Sequence, residues 1–240
     1  MQTNKFVVVL IHGHGVDASI WDGIYADLVL ETTVLKPDFA RSTTHATIEG
    51  YAEDLYAQLQ AIQAEKAVLV GHSMGGYIAL AFADRYPDMV QGLVLYHSTP
   101  VADDENRREV RRQAIAGLKT DGTAPFIQKQ LPKMVSPAYP DDKIQTLINR
   151  YLDLPADALI AGMTAMLNRP DRTHVLRTAT FPVLLVLGRD DQIIPYDKTA
   201  QLADLSSQVS VVPIEQAGHL SMVEQPEASL NVLQTFLRKF

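Results

Sequence analysis

The sequence predicts an α/β fold: a doubly wound, mostly parallel six-stranded sheet carrying an inserted helical block. Three observations lead there. Short runs of three to six residues, mostly apolar, recur along the chain, as strands buried on both faces of a parallel sheet must. Between them lie amphipathic helical patterns with short connections, the alternation that builds parallel sheets through crossovers. Composition is the third. With 47% hydrophobic and 20% charged residues in 240, the chain is ordinary globular protein, which excludes disordered and fibrous classes. A chain of this size buries roughly 70–75% of its unfolded surface, so its core needs no disulfide or metal staple.

In chain order, the expected strands are Phe6–Ile11, Thr33–Leu35, Ala67–Val70, Gln91–Tyr96, Val183–Leu187 and Ser210–Ile214. Thr33–Leu35 is the shortest and is placed near an exposed edge. Only Met1 to Asn4 precede the first run, so no opening antiparallel hairpin is expected. Ile48, Tyr51, Leu55, Leu59 and Ile62 recur every three or four residues, one face of a helix. A last helix opens at Pro226 and carries Leu230, Leu233, Leu237 and Phe240 along one stripe. From about Val101 to Arg172 the strands stop. Ile144, Leu147, Ile148, Tyr151 and Leu152 form one helical stripe there, and Leu159, Ile160, Met163, Met166 and Leu167 another. Residues 101–172 therefore read as a helical cap inserted into a discontinuous core of residues 1–100 and 173–240. The plainer alternative is a set of extra packing helices.

The strongest chemical signal is Gly71-His72-Ser73-Met74-Gly75-Gly76, between a strand and a helix that runs through Tyr77, Ile78, Leu80 and Phe82. Gly-x-Ser-x-Gly alone is common; the strand–turn–helix context is what a nucleophile elbow needs. The turn strains the serine, and the flanking glycines make room for the backbone around it. A serine hydroxyl at neutral pH needs a base, and the base needs an orienting acid. Candidates follow the last two strands: Asp190 and Asp191 after Val183–Leu187, then His219 after Ser210–Ile214. Loops beyond strand C-terminal ends are where open α/β sheets place their sites.

At these residues the chain resembles the α/β-hydrolase family. The order Ser73, Asp, His219 is the family's. Its acid turn, Gly-x-x-Asp-x-x-x-Pro, falls on Gly188, Asp191 and Pro195, which selects Asp191 over Asp190. Its Gly-His turn with a following Glu and Pro falls on Gly218, His219, Glu224 and Pro226, and its first motif on His12, Gly13 and Trp21. The resemblance implies catalysis by Ser73, Asp191 and His219, with an oxyanion hole formed by the backbone N–H groups of His14 and Met74. Trp21, Met163, Met166 and Leu220 are expected at the substrate pocket, the two methionines because the cap must face the site, with core packing as their plainer reading. Arg169-Pro170-Asp171 is similar to the segment before the penultimate strand of small lactonase- and esterase-like members. The stretch Asp38-Phe39-Ala40-Arg41-Ser42 departs from the family by lacking the glycines of its second loop.

Other classes fare worse. Gly13-His14-Gly15-Val16-Asp17-Ala18 after a strand, with Asp38 beyond, imitates a dinucleotide-binding fingerprint but leaves the serine elbow unexplained. His12-x-His14 lacks the further acidic or histidine ligands of a metal site, and His45, His97 and His174 lie in no motif. No cofactor or metal is expected. The net charge of −7 opposes nucleic acid, and the only basic cluster, Arg107, Arg108, Arg111 and Arg112, interleaves with Asp103, Asp104, Glu105 and Glu109 as a self-paired, solvated helix face. No cysteine is present, which removes disulfides and a thiol nucleophile. The apolar runs are too short to span a bilayer or form a signal peptide, so neither membrane nor secretion is expected, and the cytoplasm is the default location. The sequence thus reads as a serine hydrolase of a small ester, lactone or similar acyl substrate. Acyl transfer, carbon–carbon bond hydrolysis and perhydrolysis on the same triad stand as alternatives, as does a ligand-sensing protein with little turnover. Oligomeric state is not legible.

Overall fold

Among the described residues, six parallel strands form one sheet in the order β2-β1-β3-β4-β5-β6. They are β1 (Val7–Ile11), β2 (Thr33–Leu35), β3 (Ala67–His72), β4 (Val90–Tyr96), β5 (Val183–Gly188) and β6 (Val209–Ile214). This computed structural model describes residues 6–240; the short lead-in of Met1 to Asn4 lies outside them. Every strand pair is parallel, and β2 sits at one edge with Thr33 exposed, as its weak apolar pattern predicts.

The apolar runs are nearly continuous because both faces are covered. Val8, Leu10, Val68, Val70 and Val94 point to one side, under α1 (Asp22–Glu31) and α11 (Pro226–Leu237). Val9, Ile11, Leu69, Leu93 and Leu95 point to the other, under α2 (Ile48–Ala61) and α3 (Met74–Arg85). Thr47 caps α2 by accepting the Gly50 N–H at 3.1 Å. The stripe predicted to end at Ile62 overruns this helix. The chain leaves it at Ala61, turns through Gln63 at φ 56°, and Ile62 is 48% exposed.

Between β4 and β5 lie only helices: α4 (Glu105–Asp121), α5 (Thr123–Gln130), α6 (Asp141–Tyr151), α7 (Ala156–Leu167) and α8 (Thr173–Arg177). Asp104 caps α4 by accepting the Arg107 N–H at 2.8 Å. The two ends of this segment are tied to each other and to α3. Asp103, just before α4, pairs with Arg169, just after α7, at 2.9 Å. The Arg169 guanidinium in turn lies 3.9 Å from the ring centre of Tyr77 on α3. Two short helices, α9 (Tyr196–Ala200) and α10 (Ser221–Glu224), complete the fold after β5 and β6. No helix among the described residues is long and apolar enough to cross a membrane.

This winding fixes where chemistry can occur. From β1 the chain first builds outward to β2, then crosses back to β3 and continues the other way. The crevice at that reversal, beyond the C-terminal ends of β1 and β3, is a natural ligand site. His14 and Ser73 sit there, each just past its strand.

Candidate active site

Ser73 joins β3 to α3 at φ 51° and ψ −113°, outside the regions a non-glycine residue normally occupies. Its N–H donates to the Tyr96 carbonyl at 3.0 Å, and its carbonyl accepts from Ser98 Oγ at 2.8 Å. Two glycines make the turn possible. A Cβ on Gly71 would lie 2.4 Å from the Gly75 carbonyl oxygen, and one on Gly75 would lie 2.4 Å from that of Ile11. The backbones therefore pass closer than any side chain permits, and Ser73 is pushed out of the turn.

His219 follows β6 on a loop held from two sides. Its N–H donates to the Met134 carbonyl at 2.8 Å. Glu224 accepts the N–H groups of Gly218, Leu220 and Ser136 within 3.1 Å, so one carboxylate gathers the loop. Burial pushes the Glu224 carboxyl above its ordinary range, against these donors. His219 Nδ1 donates to Asp191 Oδ2 at 2.8 Å, which leaves its Nε2 for other work. Asp191 Oδ1 accepts the N–H groups of Ile193 and Ile194 at 2.8 and 2.9 Å. Burial opposes ionisation of Asp191, but His219 and His97 outweigh it and hold the carboxyl well below the carboxylate range. Asp190 faces away and accepts from Ser136 Oγ at 2.7 Å.

His97, which lies in no sequence motif, is fully buried and shares this carboxylate. Its Nδ1 lies 3.1 Å from Asp191 Oδ2 and 3.2 Å from the Gly188 N–H, and its Nε2 lies 2.7 Å from Ser221 Oγ, whose hydroxyl donates to the Tyr96 hydroxyl at 3.0 Å. Burial, outweighing the attraction of Asp191, holds its imidazole below the ordinary histidine range. His72 Nε2 donates to the His219 carbonyl at 2.8 Å, and burial followed by His219 and His97 pushes it still lower. Among the described residues, His97, Asp191 and His219 form the one trio spaced for a metal ion. Hydrogen bonds to the shared carboxylate oxygen account for that spacing.

The loop after β1 carries two more histidines with separate tasks. His12 accepts the Phe39 N–H at Nε2, 2.8 Å away, and its Nδ1 donates to the Gly13 carbonyl at 2.7 Å. His14 Nε2 donates to the Leu159 carbonyl of α7 at 2.8 Å, tying the loop to the inserted helices. Burial, with Arg111 adding to it, lowers His14 to about 4, so it is neutral. Met74 begins α3, and its N–H has no partner within the helix.

Ser73, His14, His219, Met163 and Met166 line one cavity of about 300 Å³ between the sheet's C-terminal end and the inserted helices. Two expectations are corrected. Trp21 and Leu220 are fully buried and line none of it. Trp21 packs edge-on against Tyr96, its ring centre 5.3 Å away, because apolar bulk beneath the loops completes the core there. Leu220 points into the same core from the start of the turn to α10. The arginine face is corrected in part. Arg112 is exposed and pairs with Glu105 and Glu109 at 2.8 and 2.9 Å, but Arg107 and Arg111 turn to the cavity. Asp104 spends its carboxylate on the helix cap and makes no ion pair with Arg108.

A wound parallel sheet with a strained serine elbow and a histidine–aspartate pair beyond it defines the class of α/β-hydrolases. The comparisons agree: a sequence model of the alpha/beta hydrolase family matches residues 8–231, and the chain belongs to that family. It is a hydrolase-family enzyme. Its fold matches a thermophilic esterase from Thermogutta terrifontis, solved with malate bound, at a TM-score of 0.92 and 30% identity over 98% of this chain and 90% of that one. A pimeloyl-[acyl-carrier protein] methyl ester esterase from Aeromonas hydrophila is 26% identical over 96% of this chain and 94% of its own. The Karrikin insensitive 2 receptor IA of Petunia hybrida is 24% identical over 94% of this chain and 88% of its own.

Proposed function

We propose that this protein is a serine hydrolase that cleaves an ester, lactone or similarly activated acyl substrate through an acyl-enzyme. The observation that carries the reading is one cavity lined by both the strained Ser73 and His219, the latter held by Asp191. His219 Nε2 takes the Ser73 hydroxyl proton as Oγ attacks the carbonyl, and Asp191 stabilises the imidazolium. Oxyanion charge develops towards the N–H groups of Met74 and His14, donors of a kind that each lower the barrier by ~3–4 kcal/mol. His219 returns its proton to the leaving alcohol. It then activates the water that releases the acid from Ser73. The chemistry calls for no cofactor. The helices of residues 101–172 act as the cap that shields the acyl group, with Met163 and Met166 against it. The esterase relatives support an ester-type bond.

The test is hydrolysis of 4-nitrophenyl butyrate by wild type and Ser73→Ala. The reading expects turnover in the first and its loss in the second; equal rates would sink it. A second reading, a ligand sensor with slow turnover, draws on the likeness to a plant receptor. It predicts a single burst of nitrophenol with a lasting shift in thermal midpoint, where the hydrolase predicts steady release.

A further inference from the structure

One wall of the cavity above Ser73 is cationic. Helix α4 contributes Arg107 and Arg111 to it, and no lining residue is a carboxylate. Nor is their charge cancelled behind the wall. The carboxylate that meets them is Asp103, whose side chain is fully buried and is shared three ways. It accepts from Arg111 and from Arg169 Nη2, the latter at 2.9 Å, while Arg107 Nε lies 3.9 Å off. Three guanidinia share this one ion-pair partner, and Asp171 acts on Arg169 only from further off, so positive charge is in excess at the wall. Burial alone would raise the Asp103 carboxyl, but Arg169 and Arg111 overcome it and lower it to about 2, so the single negative charge is already counted. His14 opposite is neutral and adds none.

Arg111 gives Nε and Nη2 to Asp103 but keeps one donor, Nη1, without an oxygen partner. Arg107 donates Nη2 to the Ile193 carbonyl at 2.9 Å. Arg111 Nη1 finds only the thioethers of Met163 and Met166, at 3.5 and 3.4 Å, and sulfur is a weak acceptor. Its side chain is only 14% exposed, so water does little to make up the difference. A charged donor left short of an oxygen partner away from water is costly, and an anionic oxygen entering the cavity removes that cost.

We propose that this wall recognises a carboxylate. Resting on the hydrolase reading above, the substrate is an ester or lactone that carries a second, ionised carboxyl group, bound by Arg111 with Arg107 beside it. The exposed Arg112, neutralised by Glu105 and Glu109, has no part in this.

The test uses ester pairs that differ by a terminal carboxylate in place of a methyl group. On the acyl side these are mono-4-nitrophenyl adipate against 4-nitrophenyl hexanoate. On the alcohol side they are carboxymethyl hexanoate against ethyl hexanoate. In at least one pair wild type favours the anion in kcat/KM by about tenfold or more, through KM, as a charge-assisted hydrogen bond would give. Arg111→Met removes that preference, and Arg112→Met keeps it. Wild-type ratios no greater than one in both pairs, or ratios that Arg111→Met leaves unchanged, overturn the proposal. Should Arg111→Met not fold, adipate must inhibit wild type competitively where 1,6-hexanediol does not; equal inhibition overturns it. If wild type cleaves none of the four esters, the hydrolase reading fails instead. Carboxylate binding is then decided by calorimetric titration of wild type with adipate: heat of binding that 1,6-hexanediol does not reproduce supports it, and no heat overturns it.

Discussion

Ser73 is held where a residue with a side chain seldom rests, and that strain, of the order of 1–3 kcal/mol, is borne by the elbow around it. At this scale the sequence was most legible. The Gly-x-Ser-x-Gly spacing and the acid and histidine loops name side chains whose positions follow directly from strand ends. The choice between neighbouring aspartates is geometric: Asp191 meets His219 and Asp190 meets Ser136. Asp191→Asn should therefore cost about 10⁴-fold in kcat by fixing the wrong imidazole tautomer. Asp190→Asn should leave kcat within a few-fold. Steady-state assays on one ester decide it. His97 was not legible, because nothing local in sequence says that a residue after β4 will share a carboxylate 94 positions away. His14 gives the pH prediction. Burial lowers it from 6.5 to about 4, so its neutral form stabilises the fold above pH 6.5, and that contribution is lost as pH falls towards 4. His14→Gln keeps a donor for the Leu159 carbonyl without titrating. Between pH 6.5 and 4, wild type should lose up to about 3 kcal/mol more stability than this variant in urea titrations. Parallel losses would contradict it.

At the scale of elements, the strand and helix order was readable because both sheet faces are covered, which makes every central strand a plain apolar run. Ends were less so. Ile62 carries the right spacing but lies beyond a turn set by the backbone at Gln63, and periodicity does not register where a helix stops. The elbow gives a prediction of its own. Gly75→Ala puts a methyl group 2.4 Å from the Ile11 carbonyl oxygen, so β1 and α3 must part. Such a variant should be destabilised by several kcal/mol, more than the ~1 kcal/mol typical of substitutions. Gly117, on α4, has nothing within 4 Å of its added methyl, so Gly117→Ala should be neutral or stabilising by up to about 1 kcal/mol. Thermal unfolding of the two variants side by side checks both.

Across the whole molecule, one sheet carries Ser73 and His219 at its C-terminal end, and the helices between β4 and β5 form the facing wall of the cavity they line. The break in alternation marked the run of helices between β4 and β5, but the face they turn to the cavity was not readable. A row of arginines interleaved with acids has the pattern of a solvated surface, and only packing shows that Arg111 and Arg107 turn inward around Asp103. Asp103 also pins the start of this run to its end through Arg169. Asp103→Asn leaves buried guanidinia without their counter-charge and should cost ~3–5 kcal/mol, with earlier proteolysis within residues 101–172 than in the core strands. Under the proposed function, Ser73 becomes covalently acylated. The most direct test is intact-protein and peptide mass spectrometry after treatment with diethyl 4-nitrophenyl phosphate, which transfers its phosphoryl group to an activated serine and releases one nitrophenolate. A single adduct on Ser73 is expected, with ester hydrolysis lost in proportion to labelling and no adduct in Ser73→Ala. An adduct elsewhere, or hydrolysis that persists after complete labelling of Ser73, would contradict it.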